Sequence, residues 1–227
     1  MSESPKEPQY QKNFDDFKTL GPVPLGPMGS HVWRTDPRRL GFMLARYKFV
    51  AKMLHGKDSA LEIGCGDGFC AGVTQQEIST VHGLDFDPLF VEAAREQWKG
   101  REGFHFFVGD MTDEAFSPPR AYDAAYSLDV LEHIPEESED LFIRNALKCL
   151  NPSGTLIVGC PSLESQEHAS IWSKKGHVNC KTGYELKELI SCYFKHTFLF
   201  GMNDETIHTG FSKMAHYHFV LACEQRP

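Results

Sequence analysis

Apolar residues recur along the chain in two patterns, one typical of helices and one typical of buried strands. In residues 37–54 apolar side chains share one face at helical spacing, and Pro37 suits the first helical position. After Gly56, short apolar runs alternate with amphipathic stretches. The predicted strands are ALEI, TVHGLDFD, FHFFVGD, YDAAYSLDV, TLIVGCP, HTFLFGM and AHYHFVLAC. This alternation predicts βαβ units and a parallel sheet flanked by helices.

Three parts of the chain depart from the alternation. Residues 1–30 are polar and then rich in proline and glycine, which predicts a mobile tail that ends in an irregular loop. Residues 31–227 are expected to form a single domain. Within it, segments 161–182 and 203–214 interrupt the rhythm of strands and helices. Long irregular loops in a compact domain are often functional, so we interpret these two as lids over a substrate site.

Composition excludes several classes of function. The 227 residues carry a net charge of −8, and no run of lysine and arginine marks a nucleic-acid or anionic-membrane surface. Seven cysteines occur without a CxxC pair, which argues against a zinc ribbon and favours buried thiols in a reducing compartment. The sequence shows neither a long apolar run nor a secretion signal. We therefore expect a cytoplasmic protein with no nucleic-acid or membrane partner.

The sequence LEIGCGDG is the first stretch whose residues indicate the kind of ligand that the protein binds. Ligands of open α/β sheets bind beyond the carboxyl ends of the strands, and Gly64, Gly66 and Gly68 allow close approach to the backbone. A dinucleotide-binding turn would carry its third glycine where this chain has Phe69. An ionised Glu62 would repel a pyrophosphate but attract the ammonium and sulfonium of S-adenosylmethionine. Capping of the following helix is the alternative role for Glu62.

Two further carboxylates end predicted strands. Asp85 closes the second strand, at the spacing expected for an acceptor of ribose hydroxyls in both nicotinamide and S-adenosylmethionine folds. Asp110 closes the third strand and suits an adenine amino group, with Met111 beside the ring. A simple turn is the alternative role for Asp85. A helix N-cap is the alternative for Asp110, because DMTDE is typical of a helix start.

The motifs LEIGCGDG, GLDFD, VGDM and SLDVLEHI, in this order, resemble the class I S-adenosylmethionine-dependent methyltransferases over about residues 57–160. The resemblance implies an α/β fold with a Rossmann-like, seven-stranded mixed sheet whose last strand is antiparallel. It also implies S-adenosylmethionine as the cofactor. The residues that it places in the cofactor pocket are Glu62, Gly64, Gly66, Asp85, Phe86, Asp110, Met111 and Ser127.

Three more residues are expected at the cofactor. Cys65 and Gly68 belong to the same glycine-rich turn. Arg46 lies in the predicted helix before the first strand, a region that folds over the cofactor in similar enzymes. We expect Arg46 to pair with the methionine carboxylate of the cofactor, and a surface ion pair is the alternative.

A hydroxyl or ammonium acceptor must lose a proton, and histidine suits the role of general base. His133 and His177 follow the fourth and fifth strands, so we expect them to be the catalytic residues. Packing or capping by His133 and anchoring of the lid by His177 are the alternatives. No metal-ligand spacing is diagnostic, so no metal is expected, although Asp129, Glu132, His133 and Asp204 are of types that bind divalent ions.

The function that these observations favour is methyl transfer to a small-molecule acceptor. A hydroxyl of a sugar or of a natural-product intermediate is the first choice. The stretches PSLESQEHAS, SKKGHVNCKTG, NDETIHTGF and MAHY resemble bacterial methyltransferases of surface-glycan and secondary-metabolite pathways. The alternatives are N-methylation of a small molecule, oxidation or reduction with NAD or a nucleotide sugar, and a regulatory protein that binds the cofactor without catalysis. The sequence predicts no oligomeric state.

Overall fold

An eight-stranded sheet lies at the centre of the protein, in a computed structural model that describes residues 4–227. The strands in chain order are β1 Ser59–Ile63, β2 Thr80–Asp85, β3 Phe104–Val108, β4 Tyr122–Leu128, β5 Leu150–Pro161, β6 Phe194–Asn203, β7 Thr206–His208 and β8 Tyr217–Gln225. Across the sheet they follow the order β3-β2-β1-β4-β5-β8-β6-β7. Strands β1 to β5 pair in parallel, whereas β8 is antiparallel to β5 and β6.

All seven predicted strands are present, and the antiparallel last strand of a Rossmann-like mixed sheet is confirmed. The sheet has one strand more than predicted, because β7 forms a short hairpin with β6 inside segment 203–214. Asp204 turns this hairpin with a positive φ of 48°. Three residues carry too short a hydrophobic pattern to identify a strand in the sequence.

Eight α-helices surround the sheet in the described part of the chain. They are α1 Gln11–Leu20, α2 Gly26–Thr35, α3 Arg38–Met53, α4 Ala71–Thr74, α5 Pro88–Gln97, α6 Glu136–Lys148, α7 Ile171–Gly176 and α8 Gly183–Ser191. Residues of α3, α4 and α5 belong to one hydrophobic core, and residues of α6 and α8 belong to the other. Within residues 4–227, none of the helices has the length and apolar character needed to cross a membrane.

Strand β1 contributes to both cores because successive side chains of a strand point to opposite faces. Leu61 and Ile63 pack into the core that contains α6, whereas Ala60 packs into the core that contains α3. Glu62 has the same parity as Ala60 and therefore lies on the α3 face of the sheet. This alternation decides the surroundings of Glu62.

The N-terminal segment differs from the irregular loop that its composition predicted. Residues 11–20 and 26–35 are helical, and Pro27 occupies the first turn of α2, where its fixed φ favours a helix start. Helix α2 packs on the turn after β1, because the backbone N–H of Met28 donates to Asp67 Oδ2 at 2.7 Å. The first three residues of the expected tail lie outside the described residues, and its mobility stays a prediction.

Segment 161–182 contains more regular structure than expected. A 3₁₀ helix at Glu164–His168 precedes α7, and Ser162 forms an isolated bridge with Lys181. The bridge joins the two ends of the segment, so residues 163–180 form one loop that leaves the carboxyl end of β5 and returns beside it. The role of this segment as a lid stays a prediction.

Candidate active site

A cavity of about 630 Å³ opens at the carboxyl ends of β1, β2, β3 and β4. Its walls come from the glycine-rich turn after β1, from the residues that end β2 and follow β3, and from residues 129–138 after β4. This is the edge at which open α/β sheets bind their ligands. The volume lies within the range of small-molecule sites. The predicted position of the site is therefore occupied by a cavity of suitable size.

Carboxylates dominate the charge of this cavity. Asp85, Asp110 and Asp129 line it, and no lysine or arginine among residues 4–227 does so. An anionic ligand would therefore meet net negative charge in the cavity wall, whereas a cation would be attracted. The remaining walls are largely apolar and include Phe86 and Phe90.

The glycine-rich turn adopts a backbone that only glycine tolerates well. Gly64, Gly66 and Gly68 have φ values of +75°, +53° and +67°. A Cβ on Gly64 would lie 2.2 Å from Val130 Cγ2, and one on Gly66 would lie 2.6 Å from Met28 Sδ. These two glycines line the cavity. Gly68 instead faces packed side chains of α5 and β3, so it serves the turn rather than the cavity wall.

Cys65 lies in the same turn, with its side chain buried. Its Sγ is 3.6 Å from the carbonyl oxygen of Gly66, and it borders a smaller cavity of about 80 Å³ between the turn, α2 and α3. Burial, reinforced by the nearby Glu62, raises the pKa of the Cys65 thiol. The thiol is therefore a neutral packing group and not a nucleophile.

Glu62 does not face the large cavity, contrary to the expectation of an ionised carboxylate against the ligand. It is buried, and its Oε1 and Oε2 accept hydrogen bonds from Tyr47 at 2.5 Å and Tyr126 at 3.0 Å. Burial raises the pKa of Glu62 to about 8, even though both hydrogen bonds act in the opposite direction. The sequence could not anticipate this environment because Tyr47 and Tyr126 come from α3 and β4.

Asp85 and Phe86, two of the residues expected to bind the cofactor, line the cavity. Asp85 Oδ2 accepts from the N–H of Gly66 at 2.9 Å, and Oδ1 accepts from the N–H of Asp87 at 3.0 Å. The first bond links the ends of β1 and β2. Each carboxylate oxygen keeps a further lone pair for a ligand. Phe86 is 73% exposed, which leaves its ring free to contact a ligand.

The structure separates Asp110 from Met111, both predicted for the adenine, and from Ser127, predicted for the cofactor pocket. Asp110 lines the cavity, and its Oδ1 accepts from both the N–H and the hydroxyl of Thr112 at 2.7 Å. It closes a turn and does not start a helix. Met111 and Ser127 are buried and do not line the cavity. Ser127 Oγ has no hydrogen-bond partner among the residues that the structure describes.

Arg46 forms an ion pair with Asp129. The sequence instead predicted that Arg46 would pair with the methionine carboxylate of the cofactor. Its Nη1 donates to both carboxylate oxygens of Asp129, and its guanidinium lies 3.9 Å from the centre of the Tyr217 ring. Asp129 lines the cavity and Arg46 does not. Neither expectation for Arg46 describes this pair, because the arginine side chain is only 14% exposed.

His133 and His177 are brought together, with ring centroids 5.1 Å apart. The Nδ1 of His133 is 2.9 Å from the carbonyl of Gly176, and the Nδ1 of His177 is 2.8 Å from Gln166 Oε1. Because these oxygens only accept, each Nδ1 is the donor and each Nε2 carries a lone pair. Burial, and then the charge of His133, lower the pKa of His177. His133 lines the cavity, so one basic nitrogen is available there.

Met28 and Glu132 are the residues that sequence reasoning placed least well. Met28 lines both cavities but lies in a segment whose composition suggested a loop; Pro27 after Gly26 is the signal for its helix. The sequence indicates Glu132 only as one of several residues of a metal-binding type. Its buried carboxylate has no hydrogen-bond partner among the described residues, and burial together with Asp129 raises its pKa.

Comparisons with known proteins relate part of this chain to methyltransferases. Residues 60–154 match a family model described as a methyltransferase domain. The chain is 28% identical over 106 residues to a phosphoethanolamine N-methyltransferase of Plasmodium falciparum, which covers 46% of this chain and 40% of that protein. It is 30% identical over 121 residues to a ubiquinone biosynthesis O-methyltransferase of Vibrio atlanticus, which covers 52% and 48%. The matches thus span about half the length of these relatives, or less.

The fold also resembles that of a solved structure. The N-methyltransferase NodS from Bradyrhizobium japonicum, in complex with S-adenosyl-L-homocysteine, superimposes with a TM-score of 0.59 at 19% sequence identity. The similarity covers 86% of this chain and 91% of that one. It extends the likeness in fold well beyond residues 60–154.

Proposed function

Because residues 60–154 match a family model described as a methyltransferase domain, we propose that this protein is a class I S-adenosylmethionine-dependent methyltransferase and transfers the methyl group to a small-molecule acceptor. The observation that carries the proposal is the cavity with three carboxylates and, within residues 4–227, no lysine or arginine in its walls. The ammonium and sulfonium of the cofactor suit such walls. The pyrophosphate of a nicotinamide dinucleotide would be repelled there, which opposes the alternative of an oxidoreductase.

The cavity walls suggest an orientation for the cofactor. Asp85 would accept from the ribose hydroxyls, and Phe86 and Asp110 would contact the adenine. Gly64 and Gly66 would admit the methionine part close to the backbone, where Asp129 attracts its ammonium. In this proposal Glu62 acts behind the turn, through Tyr47 and Tyr126, and has no contact with the cofactor.

Methyl transfer is an in-line displacement, in which the acceptor lone pair forms the new bond to the methyl carbon. The carbon–sulfur bond breaks, and its electron pair stays on sulfur to give neutral S-adenosylhomocysteine. Since positive charge on sulfur disappears, alignment supplies most of the rate enhancement. A hydroxyl acceptor also loses its proton, and we propose that His133 or His177 accepts it at Nε2.

We infer that the acceptor is small and that oxygen is its first-choice atom. The net charge of −8 opposes a nucleic-acid acceptor, and the two histidines supply the base that a hydroxyl needs. A hydroxyl of a sugar or of a natural-product intermediate fits these requirements. Nitrogen is the second candidate, because an N-methyltransferase is among the relatives and another is similar in fold.

Calorimetric titration with S-adenosylmethionine, S-adenosylhomocysteine and NAD tests the cofactor. We expect the first two to bind and NAD not to bind. Asp85→Asn should weaken S-adenosylmethionine binding about tenfold or more, because hydrogen bonds to charged groups contribute about 1.5–3 kcal/mol. Asp58→Asn is the matched control, since Asp58 is an exposed carboxylate before β1 at the opposite sheet edge. Binding of NAD in preference to S-adenosylmethionine would contradict the proposal.

Methyl transfer itself is tested with labelled S-adenosylmethionine and a panel of sugars, phenols and amines. Label in hydroxyl acceptors is the expected result, and label in amines alone would favour N-methylation. His133→Ala and His177→Ala should lose turnover while they retain cofactor affinity. Turnover that survives both substitutions would exclude these histidines as bases.

A further inference from the structure

Three side chains beside the cavity, those of Glu132, His133 and His177, place potential metal-binding atoms close together. Glu132 and His133 belong to the 3₁₀ turn Leu131–His133 after β4, and His177 follows α7. One potential ligand atom from each of the three lies within 4.8 Å of the others. Two carbonyl hydrogen bonds hold the two segments together, since Glu132 O accepts from the N–H groups of Val178 and Asn179 at 2.8 and 3.0 Å.

The carboxylate of Glu132 lacks a partner although it is almost completely buried. Its side chain is 1% exposed, and neither oxygen has a hydrogen-bond partner in residues 4–227. The nearest imidazole nitrogen, Nε2 of His133, lies 4.0 Å from Oε1, which is too long for a hydrogen bond. A buried carboxylate without a partner is costly. The site therefore lacks a positive charge or a donor.

The neighbouring cationic side chains are bound to other carboxylates. Arg46 donates to Asp129. Lys181 Nζ lies 2.8 Å from Glu139 Oε2 and also donates to Asn179. Neither side chain donates a hydrogen bond to Glu132. Its carboxyl group is therefore neutralised either by a proton, in keeping with its raised pKa, or by a cation from solution that displaces this proton.

The two imidazoles have the orientation that a metal requires. Each Nδ1 donates to an oxygen, Gly176 O for His133 and Gln166 Oε1 for His177. Metal-binding histidines commonly donate their second ring N–H to a carbonyl or carboxylate, which orients the ring and leaves the other nitrogen to bind the ion. The orientation of the two imidazoles and the unpartnered carboxylate of Glu132 are separate observations, and both favour a bound metal ion.

We propose that Glu132, His133 and His177 bind one divalent ion of the first transition row. Two imidazoles with one carboxylate favour Mn²⁺, Fe²⁺, Co²⁺ or Zn²⁺ over Mg²⁺ and Ca²⁺. Ligand atoms about 2.1 Å from one ion lie at most about 4.2 Å apart. The 4.0 Å between Glu132 Oε1 and His133 Nε2 meets this limit, whereas the 4.8 Å that bounds the whole set requires a small side-chain movement. The His133 ring is 48% exposed, so it can rotate to complete the site.

The ion would lie at the edge of the cavity, because His133 is part of the cavity wall. Its open positions would then bind an acceptor hydroxyl, an inference that rests on the proposed methyl transfer. The bound hydroxyl would release its proton to solvent, and its oxygen would form the bond to the methyl carbon as the carbon–sulfur bond breaks. When the ion is bound, His133 and His177 serve as its ligands and the ion takes over the activation of the hydroxyl; in the metal-free chain their Nε2 atoms remain the candidate bases.

Titration of the full chain with Co²⁺, without S-adenosylmethionine, tests the site separately from methyl transfer. Visible absorption should report one bound Co²⁺ per chain. Glu132→Gln and His177→Gln should each weaken binding at least tenfold. His168→Gln is the matched control, since His168 is an exposed histidine of the same segment, and it should bind Co²⁺ as the unmodified chain does.

Thermal unfolding keeps the test decisive if a variant binds poorly for structural reasons. Zn²⁺ should raise the melting temperature of the unmodified chain, since a ligand of the folded state stabilises it. Glu132→Gln should raise the metal-free melting temperature and remove the Zn²⁺ response. Co²⁺ affinity equal in all variants, or no stoichiometric binding, would overturn the metal site and leave His133 and His177 as bases. Co²⁺ binding as described, without methyl transfer, would overturn only the proposed function.

Discussion

Asp129 accepts hydrogen bonds from one nitrogen of Arg46 at both of its carboxylate oxygens, at 2.7 and 2.6 Å, although the residues are 83 positions apart. The pair joins α3 to the turn after β4, and Asp129 holds a left-handed φ of 58°. It also places a carboxylate in the cavity wall and its counterion behind it. The same ion pair therefore affects both the stability of the fold and the charge of the cavity wall.

The coupling between Arg46 and Asp129 should be measurable in a double-mutant cycle. Arg46→Met and Asp129→Asn should each lower the free energy of unfolding by about 2–3 kcal/mol, somewhat less than for fully buried pairs because Asp129 is partly exposed. The double variant should be more stable than the sum predicts. Urea denaturation measures this. Lys12→Met removes an exposed ion pair with Asp16 and should change stability little. Additive effects at Arg46 and Asp129 would contradict the coupling.

The turn after β1 should reject any side chain at Gly64. Gly64→Ala combines a positive φ with a Cβ 2.2 Å from Val130, whereas Gly56 has a similar φ of +80° with open space around its Cβ position. We expect Gly56→Ala to cost about 1–2 kcal/mol from backbone strain alone. Gly64→Ala should cost about 1–3 kcal/mol more from overpacking and should abolish cofactor binding. Thermal unfolding and calorimetry measure the two effects, and equal costs would exclude the steric argument.

Glu62 should make stability depend on pH near neutrality. Because its pKa in the folded protein is about 8, above the ordinary value of 4.5, the folded chain holds a proton that the unfolded chain releases as pH rises between these values. Stability should therefore fall from about pH 5 to pH 8. In Glu62→Gln this fall should be smaller, by a few kcal/mol. Urea denaturation across this range measures it, with the exposed Glu188→Gln as control. Parallel curves for Glu62→Gln and the unmodified chain would refute the assignment.

Phe86 should contribute to cofactor affinity and not to stability. Its ring lines the cavity and is 73% exposed, so Phe86→Ala removes little packing in the folded chain. Loss of a stacking contact should weaken S-adenosylmethionine binding about five- to tenfold by calorimetry, in keeping with about 1 kcal/mol for aromatic contacts. Leu89→Ala is the control, because Leu89 is 79% exposed at the start of α5. An equal effect of both substitutions would contradict a contact with Phe86.

Local pattern was enough to predict seven of the eight strands and the end of the sheet at which the candidate cavity lies. Asp85 and Asp110 end predicted strands, and parallel strands bring their carboxyl ends to one edge, so both reach the cavity. Three glycines within five residues also predicted the tight first turn, and all three have positive φ values in the structure. Each of these features depends on neighbours in the chain or on the direction of the strands.

Only the tertiary structure decided which groups are the hydrogen-bond and ion-pair partners of the charged residues near the site. Glu62 is held by Tyr47 and Tyr126, and Arg46 faces Asp129, through contacts between separate helices and strands. The meeting of Glu132 with His177 likewise requires segment 161–182 to return over the end of β4. Sequence periodicity determines the face on which a side chain lies. The packing of distant elements determines its partner, and therefore its charge and its chemistry.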